Sequence, residues 1–354
     1  MRNILILLAF TVSFSSAQQT ISIKVGSTTR SFILYAPSGL SEKPALVISM
    51  HGLGGSGTFQ RSMYSLDNIA DKEKFIVAYP DGTFKVSGSN GWDISGVSDV
   101  NFISAVIDTL TNRHKVDSNR VFATGFSMGG MMSYKLACTI TNKIAAIAPA
   151  SGYPMSKFGY DNICTPAGPV PICHFHGTSD NVVTYSGLND FVKLFVTSNG
   201  CTGAATSINI GSKIRKEQWT SCDSGSEIII YHFDGMDHAY PTTATYSFSP
   251  NDTLWSFFKK HPRNSATRTN KTVSATHTVN KVSVSCFNGT IFLRSDDPMR
   301  EVRISDIQGR CIMTWIASGS SVKHISLTVN SAAGLYIVNV SGQKGNMVTK
   351  AAVR

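Results

Sequence analysis

The sequence predicts an α/β fold with a doubly wound, mostly parallel sheet, followed by a small C-terminal all-β sandwich. Between about residues 45 and 260, short unbroken apolar runs of the kind buried parallel strands need alternate with segments of helical apolar spacing. Loops rich in glycine or carrying an acid follow several of those runs, at what would be the carboxyl end of the sheet, where such folds bind ligands. Beyond residue 278 only short alternating runs remain, separated by turn residues such as Gln308-Gly309.

Taken in order, residues 21–25 and 31–36 read as an opening antiparallel edge. Residues 45–51 are the first buried strand, residues 65–71 belong to a covering helix, and residues 75–79 form a strand stopped by Pro80-Asp81-Gly82. Residues 84–97 are a long Gly- and Ser-rich loop. Residues 99–113 place Phe102, Ile103, Val106, Ile107 and Leu110 on one helical face with an acid at the start. Residues 120–124 are a strand running into a tight turn and a helix through Cys138. Strands follow at 144–150, 172–176 and 227–233, with a helix at 188–196 between the last two and a closing helix at 250–260. In the tail, residues 282–284, 290–293, 302–304, 311–313, 324–329 and 335–340 are short strands.

The 354 residues, 42% of them hydrophobic, suffice for one enzyme-sized domain and a smaller one. Met1-Arg2-Asn3, the apolar run 4–14 and Ser15-Ser16-Ala17 have the layout of a signal peptide, residues 1–17, and the run is too short to span a bilayer. The expected plan is then a main domain at 18–260, a linker at 261–278 where Asn, Ser, Thr and basic residues replace apolar ones, and the sandwich at 279–354. A soluble, exported chain without an integral membrane segment is expected. The net charge of +10 is uneven, with 20 basic against 18 acidic residues up to 260 and 12 against 4 beyond. No basic stripe interleaved with aromatics accompanies that excess, so nucleic acid is not the expected partner; acidic surface polymers are.

Export permits disulfides, and seven cysteines leave at least one unpaired. Cys201 and Cys222 bracket a Gly- and Ser-rich excursion and are the first expected pair. Pairing among Cys138, Cys164 and Cys173 is open, and Cys286 could join Cys311 if their strands adjoin.

The chemistry is carried by Gly125-Phe126-Ser127-Met128-Gly129. A strand, a glycine-flanked turn and a helix push a serine hydroxyl outward, and the helix start behind it offers N–H groups to a developing oxyanion. A serine needs a base, and the base needs an acid to orient it. Asp180 follows the strand and loop His176-Gly177-Thr178-Ser179, and His238 lies in Asp237-His238-Ala239-Tyr240-Pro241 after the next strand, so the order is Ser127, Asp180, His238. Asp237 competes for the acid's role, but a sequence neighbour of the base usually points elsewhere. The loop His51-Gly52-Leu53-Gly54-Gly55 ends the first buried strand, and the backbone N–H groups of Leu53 and Met128 are the expected oxyanion donors. His51 reads as a structural strand-end residue. Trp92 could stack on an aromatic acyl group or a sugar ring, or simply pin its loop. His174-x-His176 has a spacing metals can use, yet a buried strand without further ligands favours packing histidines, and no cofactor or metal is expected.

These stretches, with Asp99-Val100-Asn101-Phe102-Ile103 and Ala148-Pro149-Ala150-Ser151-Gly152, resemble the secreted esterases of the polyhydroxybutyrate depolymerase and feruloyl or acetylxylan esterase type, from about residue 20 to 260. The resemblance implies an α/β-hydrolase of the carbohydrate esterase family 1 kind, acting on acylated plant cell-wall polysaccharide or its oligosaccharides. Leu53 stands where many relatives carry Cys, and Tyr240-Pro241 where many carry Trp-Pro, so Tyr240 is expected at the substrate rim. The resemblance supports the Cys201–Cys222 pair. The ending from Ala333-Gly334-Leu335-Tyr336 onward resembles C-terminal sorting domains of type IX secretion substrates, which implies passage through that machinery and release or attachment at a bacterial outer surface. Two other functions compete: a polyhydroxyalkanoate depolymerase, and a carbohydrate- or surface-binding protein with a vestigial hydrolase domain.

Overall fold

A computed structural model describes residues 17–155 and 169–263, and residues 282–353 apart from 288–289, 296–297, 307–309, 318–323, 329–333 and 343–344. The expected leader, apart from Ala17, and the expected linker beyond Arg263 lie outside the described residues. The chain divides into two compact units, Met1–Asn270 and Lys271–Arg354.

The first unit holds a ten-stranded sheet. Six parallel neighbours form its middle: β4 (Ile76–Pro80), β3 (Leu46–Met50), β7 (Val121–Phe126), β8 (Ala146–Ala150), β9 (Ile172–Gly177) and β12 (Ile228–Phe233). At one edge lie β2 (Thr28–Ala36) and β1 (Ala17–Val25), antiparallel as expected. At the other lie β11 (Ile214–Trp219) and β10 (Thr206–Ile210), also antiparallel. This second hairpin was not anticipated. Its residues occupy the segment read as a Gly- and Ser-rich excursion, and because β10 is exposed throughout and β11 carries Arg215, Lys216 and Glu217, neither shows a buried strand's apolar run.

Alternation along the strands divides the interior into two cores. In β3, Leu46, Ile48 and Met50 join one apolar cluster and Val47 joins the other. The first cluster packs under α3 (Ser98–His114), α4 (Met128–Thr139) and α5 (Leu188–Ser198) through Phe102, Val106, Met132, Leu136, Val192 and Phe195. The second packs under α1 (Gly57–Tyr64), α2 (Leu66–Glu73) and α6 (Pro250–Lys260) through Tyr64, Ile69, Leu254 and Phe258. α6 starts where the sequence says it should: Ser249 accepts from Asp252 N–H, Pro250 takes the first turn, and Lys259 and Lys260 sit in the last. α1 was not foreseen, since only Gly57, Gln60 and Tyr64 of its residues are buried and they make a thin apolar signal. The loop 84–97 also contains a short hairpin, β5 (Phe84–Val86) with β6 (Ser89–Gly91). Among the described residues no helix is long and apolar enough to cross a membrane.

Cys201 and Cys222 form a disulfide, and Cys138 is disulfide-bonded as well, while Cys173 is free and buried. Cys164 lies outside the described residues.

In the second unit, β13 (Val282–Phe287), β14 (Thr290–Ser295) and β17 (His324–Thr328) form one antiparallel sheet. β16 (Cys311–Ile316), β15 (Met299–Asp306), β18 (Gly334–Gly342) and β19 (Gly345–Val353) form another. Ile291, Leu293 and Leu327 from the first meet Val302, Ile304, Val338 and Val340 from the second in a single cluster, the signature of a sandwich. The Cys286–Cys311 bond does not form: the two residues lie on strands of different sheets, and Cys311 is free and exposed.

Candidate active site

β7 delivers Ser127 into a backbone conformation of φ 53° and ψ −115°, which side chains seldom adopt, and α4 begins at the next residue. The strain is held by close backbone contacts. A Cβ on Gly129 would lie 2.0 Å from the Met50 carbonyl oxygen, and one on Gly152 would lie 1.9 Å from that of Ser127. Ser127 N–H donates to Ala150 O at 2.9 Å, so the serine is wedged between the ends of β3, β7 and β8 with its hydroxyl free to project.

Its partners arrive from the next strands. His238 Nε2 lies 2.9 Å from Ser127 Oγ, and His238 Nδ1 lies 2.8 Å from Asp180 Oδ2. Asp180 Oδ1 accepts from the Val182 and Val183 N–H groups at 2.9 Å each. Burial alone would raise the Asp180 carboxyl, but the ring N–H groups of His176 and His238 facing it outweigh that and hold the group well below the usual carboxylate range. Asp180 therefore faces His238 Nδ1 as a carboxylate. Asp237 is exposed and takes no part.

On the opposite side of Ser127 the loop after β3 carries Leu53, and Met128 opens α4, where the first N–H groups have no partner within the helix. Both residues line the same cleft as Ser127 and His238. The loop is anchored from behind. His51 is buried, its Nε2 accepting from Gly82 N–H at 2.9 Å, and Gly54 N–H donates to Asn90 O on β6 at 2.7 Å.

Two residues expected at the substrate are elsewhere. Trp92 is fully buried, and its Nε1–H donates to the His51 carbonyl at 2.7 Å. It pins the loop rather than stacking on a ligand. Tyr240 stacks on Tyr64 with ring centroids 3.8 Å apart and donates its hydroxyl to Asn251 Oδ1 at 2.7 Å, away from the residues that line the cleft. Two phenylalanine rings do line it, Phe59, 57% exposed on α1, and Phe126, together with Leu53, Val86 and Val182. The unassigned first helix is why the sequence did not point to Phe59. The cleft encloses about 740 Å³.

His174 and His176 are fully buried on β9, with His174 Nε2 2.9 Å from His176 Nδ1. Among the described residues no cluster of His, Cys, Asp and Glu is arranged to hold a metal ion.

A doubly wound sheet that brings a strained serine, a histidine and an ionised carboxylate together at the carboxyl ends of its strands defines an α/β-hydrolase. A family model described as phospholipase/carboxylesterase matches residues 93–217. The protein named "Probable feruloyl esterase C" from Aspergillus terreus is 30% identical over 240 residues, 65% of this chain and 83% of that one. A bifunctional acetylxylan esterase/xylanase from Neocallimastix patriciarum is 36% identical over 220 residues, 61% of this chain and 31% of its own. Feruloyl esterase B of Piromyces equi is 33% identical over 233 residues, 59% of this chain and 42% of its own, so the chain spans less than half the length of these last two relatives. Among solved structures, an acetyl xylan esterase from Aspergillus awamori shares the fold with a TM-score of 0.57 at 18% identity, over 69% of this chain and 99% of that one. The chain belongs to the feruloyl esterase family.

Proposed function

We propose that the chain is a secreted serine esterase that removes feruloyl or acetyl groups from plant cell-wall polysaccharide such as xylan. The reading assigns residues 18–260 to the esterase and residues 279–354 to a sorting module for export across a bacterial outer membrane. The observation that carries the catalytic part is the unbroken contact from Ser127 Oγ through His238 to Asp180, at 2.9 and 2.8 Å, beside an open apolar cleft.

In this mechanism His238 Nε2 takes the Ser127 proton as Oγ attacks the ester carbonyl, and Asp180 stabilises the imidazolium that forms. The N–H groups of Leu53 and Met128 meet the oxyanion. His238 then gives the proton to the departing sugar oxygen, leaving Ser127 acylated. Water, deprotonated by the same imidazole, releases the acid and restores the hydroxyl. The walls made by Leu53, Phe59, Val86 and Val182 favour a flat apolar acyl group over a lone acetyl, whose small surface would leave much of the cleft wet.

The test is a panel of methyl ferulate, acetylated xylan and a short-chain polyhydroxyalkanoate, assayed with wild type and Ser127→Ala. Turnover of methyl ferulate or acetylated xylan, falling by about 10⁵-fold in a folded Ser127→Ala protein, is expected. Preference for the polyhydroxyalkanoate would move the assignment to a polyester depolymerase, and equal behaviour of the two proteins would end the esterase reading.

A further inference from the structure

A chain of buried polar side chains runs from α4 to Asp180. The Tyr134 hydroxyl lies 3.0 Å from His174 Nδ1, and His174 Nε2 lies 2.9 Å from His176 Nδ1. His176 Nε2 then faces the Val183 carbonyl oxygen at 2.8 Å and Asp180 Oδ2 at 3.3 Å. Tyr134, His174 and His176 are all fully shielded from solvent.

The inventory of donors fixes the direction of this chain. His176 Nε2 meets only acceptors, so it carries a hydrogen. In a neutral ring its Nδ1 is then a lone pair, which an N–H on His174 Nε2 must meet. His174 Nδ1 becomes an acceptor in turn, and the Tyr134 O–H donates to it. The reverse direction would require a second proton on His176, an imidazolium in a dry interior. Burial also pushes the His174 imidazole well below its ordinary range, in keeping with a neutral ring.

We propose that Tyr134, His174 and His176 are positioning residues for the esterase reaction, a one-way string of donors that holds Asp180 in the orientation His238 requires. The proposal rests on the esterase reading above. Asp180 Oδ1 is already fixed by two backbone N–H groups, so the remaining freedom of the carboxylate is the swing of Oδ2. His176 Nε2–H donates to the Val183 carbonyl and so holds the loop that carries Asp180, and it stands 3.3 Å from Oδ2, where its N–H dipole limits the swing. The other titratable groups facing the chain are Tyr153, Tyr185, His232 and Cys173, with Asp180 and His238 at its end. Each donor on Asp180 draws off part of its charge. Without His176 more of that charge acts on the His238 ring, so loss of this donor should be read in the acid limb of the pH–rate profile.

The experiment compares wild type, Ser127→Ala, His176→Leu, His176→Gln and Tyr134→Phe in pH–rate profiles on an activated aryl acetate and on methyl ferulate, with thermal melts. His176→Leu is expected to lower kcat about ten- to a hundredfold, the usual cost of a small misplacement at a reacting group, with KM near wild type. Its acid limb of kcat/KM should move to higher pH. His176→Gln, whose amide can still donate toward Asp180, should recover most of the rate, and Tyr134→Phe should fall between. A folded His176→Leu protein with wild-type kcat and an unmoved acid limb would overturn the proposal, as would a Gln variant no better than Leu. If His176→Leu does not fold, Tyr134→Phe decides, because it keeps the ring: a lowered kcat with a shifted limb supports the chain, and an unmoved limb overturns it. A wild type no faster than Ser127→Ala on every ester would instead remove the esterase reading, and this proposal with it.

Discussion

Gly152 has room for a hydrogen and nothing larger, since a Cβ there would sit 1.9 Å from the backbone oxygen of the nucleophile. Gly152→Ala must therefore displace the end of β8 or the elbow itself. It is expected to cost at least about 2–3 kcal/mol in denaturant unfolding, and to lower kcat more than the lost stability alone would explain. Unfolding curves and kcat measured on the same preparation check this. At this scale the sequence was informative where spacing reflects a chemical need: a serine between glycines, then an acid and a histidine each just beyond a strand. It was silent where one side chain can serve either of two ends. A tryptophan in a Gly- and Ser-rich loop reads the same whether it faces a ligand or the core, and what decides for Trp92 is a carbonyl 41 positions earlier in the chain. Tyr240 was misplaced for a similar reason, because its partners Tyr64 and Asn251 lie in helices not joined to it by any local pattern.

In the proposed mechanism the oxyanion side of the site belongs to the loop after β3, and that loop is a product of packing more than of local sequence. Trp92 holds the His51 carbonyl and β6 holds Gly54 N–H, so the hairpin in residues 84–91 acts as a splint for residues 51–55. Trp92→Phe removes the single donor and keeps most of the apolar bulk. It is expected to lower kcat about tenfold with little change in KM, because ester binding does not need the oxyanion donors while the transition state does. An equal rise in KM with kcat intact would show instead that Trp92 shapes the binding surface. Strands buried on both faces were legible from their apolar runs. The edge hairpin β10–β11 was not, since a strand with one solvated side and charged residues has the composition of a loop.

Across the whole molecule, several histidines are enclosed in a neutral state. Burial lowers His51, His174 and His232, the last to about 4 from an ordinary 6.5. The unfolded chain binds protons on these groups first as the pH falls, so their contribution is complete above about pH 6.5 and is lost below it, for His232 progressively toward pH 4. Near pH 4.5 His232 alone should cost roughly 2–3 kcal/mol, lowering Tm by about 5–10 °C relative to pH 7. A Tm that is flat across this interval would show that the histidines gain water or partners before they titrate. Asp180 behaves oppositely in position though not in sign, its loss falling below the usual carboxylate range. The three groups of the site come from β7, β9 and β12, and the serine and its base are 111 residues apart. A growing polypeptide must therefore stay inert until the strand before residue 238 has docked, so the onset of turnover during synthesis or refolding would time the closure of the sheet.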